Sequence, residues 1–449
     1  MANDIGTRVV ILGGGFAGLY AAIELEKTIA KDPNVEVVLV NKDNFFLFTP
    51  MLHEVAASDL DPSNIVNPIH KLLRRVRFFC GSVDSVDLSA KKVVLSHGNE
   101  HHSHELEYDH LVISLGSVTN FYNLPGLKEN ALTMKSLGDA IYLRNQVIAL
   151  LEEADFECCA HIRHRLLTFV VAGGGFAGVE TIAAINDFVR EVLKYYPNLR
   201  EEHIRMVLVN AGKVILPELD AELGSYAQKL LASRGVEIYF EDKVKSYQGS
   251  IVELNSGTKF ESCTLVWTAG TSPNPLLETL PCRRERGKVV VDEYFEVQGY
   301  PGVWALGDCA VVPDKTTGGF CPPTAQHALR QGVILARNIA ATLKGKEKRP
   351  FVFKTLGQLA AIGRRRGVAS VMGFRFSGFI AWLMWRGIYL MKLPRFEKKF
   401  RVALDWTLDI LFSKDIVQFL TTHGAAMSSG EQVEEKVEGQ ALRLAAGVR

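Results

Sequence analysis

The six residues Gly13-Gly-Gly-Phe-Ala-Gly18 recur unchanged as Gly173-Gly-Gly-Phe-Ala-Gly178. Each copy follows a short apolar run and precedes a stretch with helical periodicity. A second β-like run then follows each helical stretch, at 35–40 and 204–209. The chain therefore repeats the order strand, glycine turn, helix, strand, which predicts two α/β units built on one plan.

Both glycine motifs have the spacing G-x-G-x-x-G, at Gly13, Gly15 and Gly18 and at Gly173, Gly175 and Gly178. In a Rossmann unit the first glycine permits a tight turn, the second lets a pyrophosphate approach the backbone, and the third lets helix and strand pack closely. The helix N-terminus adds free N–H groups and a positive dipole end. Two such units predict two bound dinucleotides, with electrons moving between them.

The residue that closes the second strand differs from the usual motif. An acidic residue there normally binds a ribose 2′-hydroxyl, but this chain has Asn41 and Asn210. An asparagine can still hydrogen-bond a hydroxyl, and it lacks the charge that repels a 2′-phosphate. Both residues are therefore predicted to contact a cofactor, and the choice between NADH and NADPH remains open.

Further apolar runs end in glycine turns. Residues 111–117 and 265–271 contain Gly116 and Gly270, and each run comes about 100 residues after its own glycine motif. Residues 303–308 end in Gly307-Asp308, where a carboxylate can accept hydrogen bonds from a polyol such as a ribityl chain. An aspartate that only caps the next helix is the alternative for Asp308.

The glycine motifs and the apolar runs predict an α/β protein with two Rossmann-like domains, the second inserted in the first. A partly helical, membrane-associating C-terminal region is expected to follow. A helix over 137–154 is expected to join the two domains. The predicted segments are a first domain at 1–125 and 298–345, a second at 165–290, the C-terminal region at 346–420 and a flexible tail at 421–449.

Composition excludes several classes of protein. The 449 residues carry 51 Lys and Arg against 50 Asp and Glu, so the chain lacks the basic surplus typical of nucleic-acid binding. Apolar residues make up 47% and charged residues 22%, which is typical of a globular protein. Seven cysteines are too few for a disulfide scaffold, and no signal peptide is recognisable, so a reducing cytoplasm is expected.

The segment 364–401 combines ten Lys and Arg with a single acid, Glu397, and with interleaved aromatic residues. This pattern is typical of an amphipathic helix lying on an anionic membrane surface. Burial of the aromatic residues inside the protein or in a dimer interface is the alternative. The apolar stretch 376–385 is too short to cross a bilayer.

Four stretches show that the chain resembles type II NADH:quinone oxidoreductases, which belong to the flavoproteins with two dinucleotide-binding domains. They are 44–55 (Asn-Phe-Phe-Leu-Phe-Thr-Pro-Met-Leu-His-Glu-Val), 173–180, 304–308 (Trp-Ala-Leu-Gly-Asp) and 322–328 (Pro-Pro-Thr-Ala-Gln-His-Ala). The resemblance implies FAD in the first domain, NADH in the second, a quinone as acceptor, no proton pumping and a peripheral position at the cytoplasmic face of the membrane. It leaves homodimer formation open.

The resemblance also implies roles for single residues. Glu180, expected in the first turn of its helix, would lie near nicotinamide and flavin, unless it merely suits the helix dipole. Thr49 and Pro50 would lie near the flavin. Ala325 and Gln326 match a quinone-side segment A-Q-x-A-x-Q, whose final position is occupied here by Arg330 and followed by Gln331.

Two rival functions and one rival site remain from the sequence. Cys309 and Cys321 flank the flavin-side segment, which keeps a sulfide:quinone oxidoreductase as an alternative. A soluble, NADH-responsive redox flavoprotein is another. Five histidines between His97 and His110 would suit a metal, but 97–105 is interpreted as a polar loop between strands, and no metal site is expected.

Overall fold

A computed structural model describes residues 6–98 and 100–419, so the tail expected at 421–449 lies outside the described residues. Within them the helices are α1 (Phe16–Thr28), α2 (Leu52–Ala56), α3 (Ile69–Leu72), α4 (Leu127–Asn130), α5 (Leu137–Phe156), α6 (Ala160–Leu166), α7 (Phe176–Val192), α8 (Ala221–Ser233), α9 (Ala325–Leu343), α10 (Gly378–Lys392) and α11 (Phe396–Leu411). None of these helices is long and apolar enough to span a membrane.

The first glycine motif lies in a five-stranded parallel sheet. Its strands, in spatial order, are Val303–Ala305, His110–Ile113, Thr7–Leu12, Val35–Asn41 and Arg77–Cys80. The central strands are rich in Val, Ile and Leu because both faces of a parallel sheet are covered. Gly332 of α9 packs so closely on α1 that a Cβ there would overlap the carbonyl oxygen of Ala17. The chain leaves this sheet after 113 and returns to it at 303.

The second glycine motif lies in a second parallel sheet. Its strands are, in order, Leu132–Thr133, Thr264–Trp267, Thr168–Ala172, Arg205–Val209 and Val236–Tyr239. The helix expected at 137–154 is present as α5, which begins with a reciprocal capping pair of Ser136 and Asp139. Two short strands, Ser117–Thr119 and Thr271–Pro273, pair where the chain passes between the two units.

Smaller antiparallel sheets complete both units. Their strands are Phe45–Leu47 with Val66–Pro68; Ser82–Asp87, Lys92–His97 and His102–Glu107; Val244–Gln248, Ile251–Leu254 and Lys259–Glu261; and Arg284–Glu285, Lys288–Val290 and Ala310–Val311, the last pairing in parallel.

The histidine-rich segment is a β-hairpin, so its interpretation as a loop over 97–105 is wrong at His97 and from 102 onward. His97 pairs with His102 across the two strands, and the Nε2 atoms of His97 and His104 lie 2.7 Å apart. The second strand is at the edge of its sheet and its outer residues are polar, which hides the strand pattern in the sequence.

The C-terminal region begins as a sheet, not as a helix. The strands Gly357–Ala361, Gly367–Val371 and Phe374–Ser377 pair antiparallel, and α10 and α11 follow. The expectation of a helix is therefore wrong for 364–377, where Gly363 and Gly373 have φ of +82° and +86° and form the turns. Trp385 and Trp406 point inward and are buried.

Candidate active site

The two glycine turns have matching geometry. Gly13 and Gly173 have φ of +101° and +124°, which favours glycine. A Cβ at Gly18 would overlap the carbonyl oxygen of Gly13, and Gly178 stands in the same relation to Gly173. The middle glycines face open space, since a Cβ at either Gly15 or Gly175 would have no neighbour within 4 Å. Each turn thus leaves room for a phosphate at a helix N-terminus.

A cavity of about 980 Å³ lies between the two units and the C-terminal region. Ten of the residues predicted from the sequence line it: Gly15, Thr49, Pro50, Gly116, Glu180, Gly270, Gly307, Asp308, Ala325 and Gln326. The remaining predicted residues are not in its lining: Gly13, Gly18, Asn41, Gly173, Gly175, Gly178 and Asn210. The fold therefore brings residues from distant parts of the sequence to one site.

Asn41 bonds the first glycine turn, whereas Asn210 bonds the loop that follows its own strand. Asn41 Oδ1 accepts a hydrogen bond from the N–H of Gly14 (2.8 Å), and its Nδ2 donates to the carbonyl oxygen of Asp43 (2.8 Å). Asn210 donates both amide hydrogens, to the carbonyl oxygens of Gly212 (3.0 Å) and Val214 (2.8 Å). Asn210 consequently has only its Oδ1 left to accept a bond from a ribose hydroxyl.

Asp308 lies at the end of the cavity formed by the first unit. Its Oδ2 accepts a hydrogen bond from Ser117 Oγ (3.0 Å), and Ser117 Oγ in turn accepts one from Lys135 Nζ (2.7 Å). Burial lowers the pKa of Lys135, while the charge of Asp308 opposes that change. The N–H of Gly307 donates to Gln331 Oε1 (2.9 Å), so α9 fixes the turn that presents Asp308.

Glu180 is buried in the wall of the large cavity. Its Oε1 accepts hydrogen bonds from the N–H of Ala361 (3.0 Å) and from Trp385 Nε1 (3.1 Å). Burial nevertheless raises its pKa to about 8, so the carboxyl is mostly protonated at neutral pH. The expected place in the first helical turn is wrong: α7 begins at Phe176, and Glu180 lies in its second turn, where the dipole effect has faded.

His53 and Glu54 are ionisable residues that the sequence did not single out. Both are buried in α2, and His53 Nδ1 lies 3.8 Å from Glu180 Oε2. Burial lowers the pKa of His53 to about 3 and raises that of Glu54 to about 8, so both are neutral near pH 7. They belong to the motif at 44–55, but nothing in the sequence pairs them with α7 or α11.

On the α9 side the two glutamines face different partners. Gln326 lines the cavity and donates from Nε2 to the carbonyl oxygen of Gly357 (2.8 Å). Gln331 is turned to Gly307 and is buried. Arg330 donates to the carbonyl oxygen of Gln326 (2.8 Å) and stacks over Phe353 at 4.2 Å, outside the lining of the cavity.

The two cysteines near this segment are poor nucleophiles. Cys309 is fully buried, with its Sγ 3.2 Å from the carbonyl oxygen of Leu306. Burial raises the pKa of both Cys309 and Cys321 to about 11, which keeps them as thiols. Neither residue lines the cavity, so the arrangement does not support a cysteine pair that takes up sulfide there.

The residues of the first unit fit FAD. Open space beside Gly15 at the start of α1 suits a pyrophosphate, and the Asp308 carboxylate suits the hydroxyls of a ribityl chain. The cavity continues past Thr49 and Pro50 to Glu180 on the second unit. The second glycine turn, at the start of α7, offers the same phosphate site for a nicotinamide dinucleotide. This arrangement defines a flavoprotein oxidoreductase with two dinucleotide sites.

Comparison with known proteins identifies the family. Residues 7–332 match the model of the pyridine nucleotide-disulphide oxidoreductases, and residues 356–415 match the NDH2 C-terminal domain. A "Probable NADH dehydrogenase" of Dictyostelium discoideum is 31% identical over 420 residues, which cover 92% of this chain and 91% of that protein. The chain belongs to the type II NADH:quinone oxidoreductase family, and the resemblance drawn from its sequence is confirmed.

Two further comparisons support the same family and the same fold. The "Type II NADH:quinone oxidoreductase Ndh" of Mycobacterium tuberculosis is 32% identical over 426 residues, 91% of this chain and 89% of that protein. The solved structure of NDH2 from Plasmodium falciparum in complex with NADH superposes with a TM-score of 0.85 at 19% identity, covering 92% of this chain and all of that one. The α/β fold with two Rossmann-like units and a partly helical C-terminal region is thereby confirmed.

Proposed function

We propose that this chain is an FAD-dependent NADH:quinone oxidoreductase that pumps no protons. The observation that carries the proposal is the single cavity shared by Asp308 of the first unit, Glu180 of the second and Gln326 of α9. FAD bound along the first unit would take a hydride from NADH and pass electrons to a quinone. Membership of the family supports the same reaction.

In this proposal the side chains mainly bind and position. Gly13, Gly15 and Gly18 hold the FAD pyrophosphate, Asp308 its ribityl hydroxyls, and Gly173, Gly175 and Gly178 the pyrophosphate of NADH. Gly116, Gly270, Thr49, Pro50 and Ala325 form walls close to the flavin ring. Gln326 lies where a quinone carbonyl would accept its second amide hydrogen.

Glu180 would hold a proton rather than a charge beside the reacting rings. A neutral carboxyl avoids repelling the electrons that reach the quinone, and it can donate a hydrogen bond to a quinone oxygen. The acidic residue thus has a function that its helix position alone does not explain.

The proposal includes attachment to the cytoplasmic face of a membrane through α10 and α11. Phe379, Ile380 and Leu383 of α10 are more than half exposed. On α11 the exposed apolar residues follow helical spacing: Phe396, Phe400, Leu404, Leu408 and Leu411. A stripe of this kind suits insertion into the headgroup region of a bilayer. The basic residues contribute unequally, because Arg386 and Lys398 are buried.

Anaerobic flavin absorbance of the purified protein tests the proposal. NADH should bleach the flavin, and a soluble quinone analogue should restore the absorbance. Bleaching by NADPH as well would show that Asn210, in the unit assigned to the nicotinamide dinucleotide, does not exclude a 2′-phosphate. A flavin that NADH leaves oxidised, or a reduced flavin that the quinone leaves bleached, would overturn the proposed reaction.

A further inference from the structure

A second, water-sized cavity lies behind the large one. It has a volume of about 20 Å³, and His53 lines both cavities, so this side chain separates them. A cavity above roughly 10–15 Å³ can hold one water molecule when polar groups surround it. The ionisable residues in its wall are Glu54, Asp59, Asp187, Arg364, Arg386 and Lys414.

Two buried nitrogens at this cavity lack a protein partner. Among the described residues, His53 Nε2 and Arg386 Nε make no hydrogen bond, although both residues line the cavity. A buried polar atom without a partner is costly, and a water molecule in this cavity would supply one. The other ring nitrogen of His53, Nδ1, faces Glu180 Oε2 at 3.8 Å. His53 thus has one nitrogen available to each cavity.

The small cavity also leads toward the surface. Lys414 Nζ lies 2.6 Å from Asp59 Oδ1 and donates to the carbonyl oxygen of Ala57 (3.1 Å). Lys414 is almost fully buried, whereas 15% of the Asp59 side chain remains exposed. Trp406 Nε1 holds Glu54 Oε2 at 3.1 Å on the other side. Ionisable groups therefore follow one another from solvent to Glu180.

The proposed reaction takes up one proton from solvent in each turnover. NADH supplies two electrons and one proton as a hydride, whereas a quinone takes two electrons and two protons to become a quinol. One proton per turnover must come from water. We propose that Asp59, the small cavity and His53 conduct this proton from solvent to Glu180, an inference that rests on the proposed quinone reduction.

A neutral imidazole suits this task, since it can accept a proton at one nitrogen while it releases one from the other. The separation of 3.8 Å between His53 and Glu180 exceeds a hydrogen bond, but such contacts often tighten only when substrate binds. The ionisable groups around His53 and the small cavity are Glu54 and Asp59 from its own segment, Glu180 and Asp187 from α7, Arg364 from the turn after Gly357–Ala361, Arg386 from α10 and Lys414 beyond α11. Asp409 of α11 lies 3.7 Å from Arg386.

The substitution His53→Gln keeps polar atoms at this position but cannot pass a proton between two ring nitrogens. His110→Gln is the matched control, because His110 is a partly buried imidazole in the first sheet, bonded to Trp304 Nε1 (3.3 Å) and outside both cavities. In rapid mixing, His53→Gln should be bleached by NADH within twofold of the wild-type rate. Its re-oxidation by a soluble quinone analogue should slow about tenfold or more, with a larger solvent isotope effect.

A second readout needs no turnover. The infrared band of the protonated Glu180 carboxyl, assigned by its loss in Glu180→Gln, shifts when the oxidised protein is mixed with D2O. The rate of that shift measures how fast solvent protons reach Glu180, and it should fall at least tenfold in His53→Gln and stay unchanged in His110→Gln. Wild-type exchange and re-oxidation rates in His53→Gln, or equal slowing in His110→Gln, would overturn the route. Failure of quinone to re-oxidise the wild-type flavin would instead overturn the proposed function.

Discussion

Trp385 of α10 donates its indole N–H to Glu180 Oε1 on α7, at 3.1 Å. This bond joins the C-terminal region to the acidic residue that faces the large cavity. Trp406 of α11 makes the equivalent contact with Glu54 of α2. The C-terminal helices therefore do more than offer a surface to lipid, because they cover and fix two buried acids of the other two units.

Replacing Glu180 with glutamine should keep the shape of the side chain but remove its titratable proton. Glutamine can still accept the bonds from Ala361 and Trp385, but it cannot release a proton. We expect FAD to stay bound and quinone turnover at pH 7 to fall about tenfold or more. In the wild type, turnover should decline as the pH rises through about 8, where the carboxyl loses its proton, and this decline should be absent in Glu180→Gln. Steady-state rates of both proteins from pH 6 to 9 test this prediction. The same alkaline decline in Glu180→Gln as in the wild type would contradict it.

Glu54 should make the folded protein less stable at alkaline pH. Its pKa is about 8 when folded and near 4.5 in the unfolded chain, so the folded state binds more protons between these values. The stabilising contribution of this group is then fully present below about pH 4.5. It falls by roughly 1.4 kcal/mol per pH unit as the pH rises from there, and it is lost once the pH has passed about 8.

Glu54→Gln should remove that loss while keeping an acceptor for Trp406. Urea unfolding at pH 5 and pH 8.5 measures the effect. The variant should gain stability over the wild type only at the higher pH, and an equal difference at both pH values would contradict the assignment. Glu105→Gln, an exposed acid on the hairpin that pairs with Lys92, is the control and should shift both midpoints by the same small amount.

The middle glycines of the two turns should affect one cofactor each. An added Cβ at Gly15 or Gly175 meets no protein atom within 4 Å, so Gly15→Ala and Gly175→Ala should both fold with near wild-type stability. Gly15→Ala should purify with less FAD, because its methyl group occupies the space meant for the pyrophosphate.

Gly175→Ala should retain FAD and show a higher Kd for NADH, by about tenfold or more if one phosphate contact is lost. Two measurements distinguish the variants: the flavin content of the purified protein and the NADH concentration at which the flavin is half bleached. Loss of FAD from Gly175→Ala, or normal FAD content in Gly15→Ala, would show that the two turns have been assigned to the wrong cofactors.

Local patterns in the sequence were enough for the glycine turns and for Gly307-Asp308, because each turn needs particular residues at fixed spacing. The hydrogen-bond partners of the buried acids Glu54 and Glu180 depend on the tertiary fold instead. Glu54 and Trp406 are 352 positions apart in the sequence, and the pattern of residues in neither segment predicts their contact. The histidine hairpin was missed for a related reason, since an edge strand with polar outer residues looks like a loop.

The apolar stripe on α11 should attach the protein to lipid. Deleting the whole C-terminal region is a poor test, because it also removes Trp385 and Trp406 from the buried acids. A triple replacement of Phe396, Phe400 and Leu404 by serine leaves the buried Val402 and Trp406 in place. Co-sedimentation with vesicles containing anionic lipid should fall about tenfold or more, since each large apolar side chain contributes on the order of 1.5–3 kcal/mol when fully buried.

The control for this experiment is Phe156→Ser, at the end of α5, which removes an equally exposed aromatic side chain from another part of the surface. It should leave vesicle binding unchanged. The triple variant should keep its flavin and its reaction with a soluble quinone analogue, while its activity with a long-chain quinone held in vesicles falls together with binding. If the triple variant sediments with vesicles like the wild type, α11 does not carry the attachment, and the exposed residues of α10 become the next surface to replace.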